Sequence, residues 1–171
     1  VPGPDEVLVD VVATALNRAD LLQVRGLYPG PVEARDVPGL EFSGRVAACG
    51  ERVTLWKPGD EVMGIVGGGG YASRLTIHER QAMRVPSGVS VSDAAAIPEV
   101  FITAWDAMVV QGGLTNGRSA LVHAGASGVG TAAIQIAKAM GAFVAVTASA
   151  GKLDACRALY RPAFWPPGRM P

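Results

Sequence analysis

Val7, Val9 and Val11 alternate with polar or small neighbours, the two-residue period of a half-buried strand. ALNRAD (15–20) ends that run and a short helical segment follows to Gly26. GLYPGPVEARDVPG (26–39), dense in glycine and proline, predicts a loop. LEFSGRVAACG (40–50) reads as a second strand, with Gly44 a bulge or a point of close packing. Pro58-Gly59-Asp60 punctuates before another apolar alternation, so KPGDEVMGIV is a turn and a strand. Gly67 to Gly70 form a loop, and YASRLTI and MRVP are further short strands. The first half is therefore mostly β.

The period changes at Ser90. SVSD has the spacing of a capping box, and helical segments follow through AAAIPEVFITAWDAMVVQGG, broken or restarted at Pro98. SALVHAG predicts a buried strand. Val129, Ala132, Ala133, Ile136, Ala137 and Met140 then fall on one helix face, closed by Gly141. FVAVTA is a second strand, and GKLDACRAL starts another helix. Strand, helix, strand, helix is the order of a parallel sheet. The fold class expected is α/β: a β-rich domain over 1–97, the beginning of a parallel sheet over 98–159, and an unmatched, proline-rich tail over 160–171, loosely packed or disordered.

Composition narrows the function classes. The 171 residues are 49% hydrophobic and carry zero formal net charge, so there is a core to bury and no electrostatic pull toward nucleic acid or an anionic membrane. No apolar run approaches the ~20 residues of a membrane span, and VPGPDEVLVD has neither the basic start nor the apolar stretch of a signal peptide. Cys49 and Cys156 form neither a disulfide framework nor a metal spacing, which points to a reducing, cytoplasmic compartment.

The stretch LVHAGASGVGTAAIQIAK (121–138) carries the candidate chemistry. Gly125, Gly128 and Gly130 fit a dinucleotide turn in which Ser127 replaces the second glycine of the usual fingerprint. The turn follows a strand and opens a helix, whose N-terminal amides suit a pyrophosphate. A tight turn with no ligand is the alternative. An acid ending the next strand would hold the ribose of NADH. Here VTASAGK offers Lys152 instead, which can neutralise a 2′-phosphate and favours NADPH, unless it is simply a solvated lysine.

Together with ALNRAD, GLEFSG (39–44), KPGDEV (57–62), GGGGYAS (67–73) and AAAIPEVFITAW (94–105), this turn resembles the zinc-independent quinone oxidoreductases of the medium-chain dehydrogenase/reductase superfamily, the zeta-crystallin group among them. The resemblance runs from about Pro4 to Leu159. It implies a GroES-like catalytic domain followed by a Rossmann domain, and NADPH-dependent reduction of quinones or conjugated carbonyls. Zinc alcohol dehydrogenases carry a cysteine where this chain has Asn17, and Gly-His-Glu where it has Gly39-Leu40-Glu41. Asparagine and leucine cannot replace thiolate and imidazole on zinc, so no metal is expected.

The resemblance also implies site residues. Asn17 would lie at the nicotinamide end and bond ribose or substrate, or else serve only as a helix cap. Tyr28 would bond a quinone oxygen, or else cover the core as a loop residue. Thr103 would lie beside the nicotinamide, or else be a buried helical threonine. Ser127, Gly128 and Val129 would hold the pyrophosphate. His123 and His78 are expected to be structural and superficial.

The chain starts inside the first domain of that family and leaves its pattern after Leu159, as a truncated product would. Only two Rossmann strands are foreseen, so NADPH binding in isolation is expected to be weak or absent, and stability low. Two further readings compete: an enoyl reductase unit of a synthase, and a non-catalytic truncated isoform with a binding or regulatory role. The expected partner is a quinone or enone small molecule, with homodimers foreseen only for a full-length form. Without a basic stripe interleaved with aromatics, nucleic acid is not expected.

Overall fold

Alternation in the first half folds as predicted. The computed structural model describes residues 1–28 and 37–160. Strand β1 (Glu6–Ala13) precedes helix α1 (Arg18–Val24), then β2 (Glu41–Cys49), β3 (Glu61–Ile65), β4 (Arg74–His78) and β5 (Met83–Arg84). These strands form one sheet in the order β4-β1-β2-β3-β5, with every pairing antiparallel. Val7, Val9, Phe42, Val46, Val62, Leu75 and Ile77 point to one core and are nearly or fully buried.

Gly44 is a close-packing point. It pairs with Val11 of β1 across a stretch of irregular register, and a Cβ there would lie 2.2 Å from the Asp10 carbonyl oxygen. Ser90 caps α2 (Val91–Ala94) by accepting the Asp93 N–H at 3.0 Å, and Pro98 restarts the chain as α3 (Pro98–Trp105). A π-helical turn over Asp106–Gln111 continues α3.

The chain divides into two compact units, Val1–Glu99 and a second beginning at Val100. In the second, β6 (Ser119–Val122) and β7 (Phe143–Val146) pair in parallel, joined by α4 (Gly128–Ala139). Gly141, at φ +67°, closes α4 in the left-handed backbone that glycine tolerates. A 3₁₀ turn (Ala150–Lys152) leads into α5 (Leu153–Tyr160), which runs one residue past the boundary predicted at Leu159. The tail expectation for 161–171 lies outside the described residues.

Small residues of α4 make its packing face. Ala132, Ala133 and Ile136 join Ala104 in one cluster, and Ala137 joins Leu114 and Ala142 in another. One expectation fails here: SALVHAG is not a buried strand. Leu121 is 63% exposed, and Phe143 on the adjacent strand, paired with Ser119, is 56% exposed. Alternate residues of β6 and β7 face α4, and the others have no cover among the described residues. Among the described residues, no helix is long and apolar enough to cross a membrane.

Candidate functional site

Chemistry-bearing side chains gather in two places, one in each unit. The first is at the start of α1. Asn17 is the N-cap, with extended backbone at φ −112° and ψ 149°, and its N–H donates to Asp20 Oδ2 at 2.7 Å. Its side-chain Nδ2 donates to Glu41 Oε1 at 2.7 Å. A carboxylate only accepts, so that contact fixes which end of the amide faces Glu41.

Glu41 is 1% exposed at the start of β2, between the buried Leu40 and Phe42. Its other oxygen accepts the Glu99 N–H at 2.9 Å, and its main-chain carbonyl accepts the Thr14 hydroxyl at 2.7 Å. Burial raises the Glu41 carboxyl above its ordinary value, and the donated hydrogen bonds from Glu99 and Asn17 only partly offset this. Glu99 is raised too, by burial and then by the negative charges of Glu41 and Asp20. Tyr71 donates its hydroxyl to Asp20 Oδ2 at 2.7 Å, and burial, followed by that carboxylate, pushes its pKa up to about 12. Asp20 is 3% exposed, and its Oδ1 has no hydrogen-bond partner among the described residues.

Asn17 is thus both a cap and the hub of a buried polar network. Sequence reading found Asn17 but not Asp20, Glu41, Tyr71 or Glu99. The one available signal was an acid set between two apolar residues, Glu41 between Leu40 and Phe42 in GLEFSG. Tyr28 follows α1 at 37% exposure, just before the residues outside the description.

The second place is the turn between β6 and α4. Ser127 caps α4 with φ −79° and ψ 166°, and its Oγ accepts the Gly130 N–H at 3.1 Å. A Cβ at Gly130 would lie 2.4 Å from the Ala124 carbonyl oxygen, and one at Gly125 would lie 2.7 Å from Val146 Cβ. Those glycines let the turn close and let helix and strand touch. Gly128 meets only a side chain, Val100 Cγ1 at 3.0 Å. The first-turn amides of Gly128 and Val129 have no intrahelical acceptor to reach, and Val129 is 39% exposed.

Lys152 is exposed, in the turn after β7, with no ion pair among the described residues. Because β6 and β7 are parallel, the glycine turn and the Lys152 turn both follow the same end of the sheet, where open α/β sheets bind ligands. Close backbone approach, free amides and a nearby cation fit a dinucleotide. Thr103 of α3 is exposed. Among the described residues, no group of three or more His, Cys, Asp or Glu side chains could hold a metal ion.

Residues 3–87 match the alcohol dehydrogenase GroES-like domain. The phenolphthiocerol synthesis polyketide synthase type I Pks15/1 of Mycobacterium bovis is 41% identical over 90% of this chain and 7% of its own length. Among solved structures, the CurK enoyl reductase superimposes with a TM-score of 0.84 at 34% identity, over 93% of this chain and 50% of that one. The Escherichia coli quinone oxidoreductase complexed with NADPH gives 0.81 at 30% identity, over 92% and 49%. The chain therefore spans about half the length of these solved relatives and a small part of the polyketide synthase.

Proposed function

We propose that this chain, which belongs to the medium-chain dehydrogenase/reductase superfamily and carries its GroES-like domain at residues 3–87, serves the hydride reduction of a conjugated carbonyl compound, an enoyl thioester or a quinone, without zinc. One observation carries the reading. Where zinc alcohol dehydrogenases place a cysteine and a histidine, Asn17 commits its amide nitrogen to Glu41 and Leu40 is 3% exposed in the core. Neither residue offers a zinc ligand. A substrate at this site must therefore be electrophilic already, as enoyl thioesters and quinones are.

The enoyl thioester is the first substrate class, supported by 41% identity to a polyketide synthase and 34% to an enoyl reductase. Quinones come second, supported by 30% identity to a quinone oxidoreductase. A reduced nicotinamide, when bound, supplies the hydride. This chain's own part is to bind and orient. Ser127, Gly128 and Val129 receive the pyrophosphate, with Gly125 and Gly130 shaping the turn, and Lys152 neutralises the 2′-phosphate of NADPH. Asn17, Tyr28 and Thr103 serve the nicotinamide and the substrate. The described residues build two strands of a sheet whose crevice lies where strand order reverses, so the chain alone binds NADPH weakly.

The test is NADPH oxidation with crotonyl thioester and with 1,2-naphthoquinone, by this chain and by a version lengthened to the span of its relatives. Faster turnover of the thioester by the longer version supports the first class. Faster turnover of the quinone favours the second, and turnover of neither overturns the proposal. In the longer version, Lys152→Glu lowers affinity for NADPH while leaving that for NADH nearly unchanged; parallel losses in titrations of both would remove Lys152 from the site.

A further inference from the structure

We infer that Thr147 is the positioning residue of the glycine turn, its hydroxyl holding Ala124 in a left-handed backbone so that the turn can receive a dinucleotide pyrophosphate. This rests on the nucleotide reading above. Ala124 has φ +54° and is the one non-glycine residue with positive φ among the described residues. Alanine resists that conformation, because its Cβ crowds the following carbonyl oxygen. Something outside the residue must hold it there.

Thr147, the first residue after β7, supplies the hold. Its N–H donates to the Val122 carbonyl at 3.0 Å, and its own carbonyl accepts the Gly125 N–H at 2.9 Å. Between these two ladder contacts its Oγ1 accepts the Ala124 N–H at 3.3 Å and lies 3.1 Å from His123 Nδ1. A hydroxyl accepting from Ala124 still has its own proton and a second lone pair, so it bonds His123 Nδ1 in either tautomer of the ring. The Thr147 hydroxyl thus bridges the Ala124 N–H and the His123 ring.

The consequence reaches the ligand-facing atoms. The Ala124 carbonyl accepts the Ser127 N–H at 2.8 Å and sits where a Cβ on Gly130 would fall. Rotating Ala124 out of its left-handed backbone moves that oxygen, and with it the cap of α4 and the amides of Gly128 and Val129. Val122, Ala124 and Gly125 are all held from Thr147, so losing the hydroxyl alone loosens Ala124 while the ladder contacts on either side remain.

The experiment uses the full chain, followed by amide exchange and by shifts of the Gly128 and Val129 amides on titration with NADPH to millimolar concentration. Thr147→Val keeps the shape and removes the hydroxyl. The Ala124 amide then exchanges about three- to tenfold faster, and NADPH and NADH affinity fall by the same factor, since both share the pyrophosphate. Thr147→Ser restores both. Adding Ala124→Gly to Thr147→Val also restores affinity, because glycine adopts positive φ freely; a mere packing role for Thr147 gives no such rescue. Unchanged Ala124 exchange in Thr147→Val, or no rescue by Ala124→Gly, overturns the assignment. No NADPH shift in the unsubstituted chain counts against the nucleotide reading itself, and the exchange measurements then decide the clamp on their own.

Discussion

Gly130→Ala unfolds the glycine turn and removes dinucleotide binding, whereas Gly128→Ala leaves the turn folded. The difference lies in what each new Cβ meets. At Gly130 the three nearest atoms are all main chain: the Ala124 oxygen at 2.4 Å, then Gly125 C and Cα at 2.7 Å each. No rotamer change can clear them, so the turn or α4 must shift. Overpacking of this kind costs about 1–3 kcal/mol. It also displaces Ser127 Oγ, which binds the Gly130 N–H. At Gly128 the only close atom is a methyl carbon of Val100 at 3.0 Å, which a small side-chain adjustment relieves. Urea unfolding of the second unit, with NADPH-induced amide shifts, checks both variants. A Gly130→Ala chain with the unsubstituted midpoint and shifts refutes the steric argument.

The same contrast explains what the sequence made legible. The glycine turn could be read because its pattern is local: strand end, turn and helix cap lie within ten residues, and Gly130 answers to Ala124 and Gly125 close by in the chain. The sheet of the first unit was legible for a similar reason, since the two-residue alternation of Val7, Val9 and Val11 names the buried face directly. SALVHAG failed because an apolar run reports hydrophobicity and not cover. Whether Leu121 is buried depends on elements packed against the far face of β6, and those are not encoded in the strand itself. The Asn17 network was invisible for a different reason. Its members come from α1, β2, the loop at Tyr71 and the start of α3, so the pairing of Glu41 with Asn17 exists only after the sheet has formed. An isolated acid between two apolar residues is a cue to look for partners, but it names none of them.

Glu41 is where that unseen network makes its largest difference to stability. Glu41→Ala leaves the Asn17 Nδ2 and Glu99 N–H donors unanswered beside a new cavity, at a cost of about 2–5 kcal/mol. That is a large part of the roughly 5–15 kcal/mol that stabilises an ordinary domain. Relief from burying a carboxylate works in the other direction, and Glu41→Gln isolates it. The amide keeps the volume and one acceptor oxygen, so it loses about one hydrogen bond, ~1–3 kcal/mol, and carries no charge. The pH dependence separates the two effects. Burial holds the folded-state pKa of Glu41 above its ordinary value of 4.5, so the folded protein binds this proton more tightly than the unfolded chain. The resulting stability is fully present below 4.5 and is lost as pH rises through the raised pKa. Glu99 is raised in the same sense. Asp5 and Glu79 are lowered by their hydrogen bonds, to Arg52 and to the Leu55 and Thr54 amides respectively, and lose stability only as pH falls below the ordinary carboxylate range. Urea unfolding from pH 4 to 8 should therefore show the advantage of the unsubstituted chain over Glu41→Gln shrinking as pH rises. A residual slope should remain until Glu99→Gln is added. Parallel profiles for the unsubstituted chain and Glu41→Gln would mean that Glu41 titrates alike in the folded and unfolded states, and that the hydrogen bonds from Asn17 and Glu99 outweigh its burial.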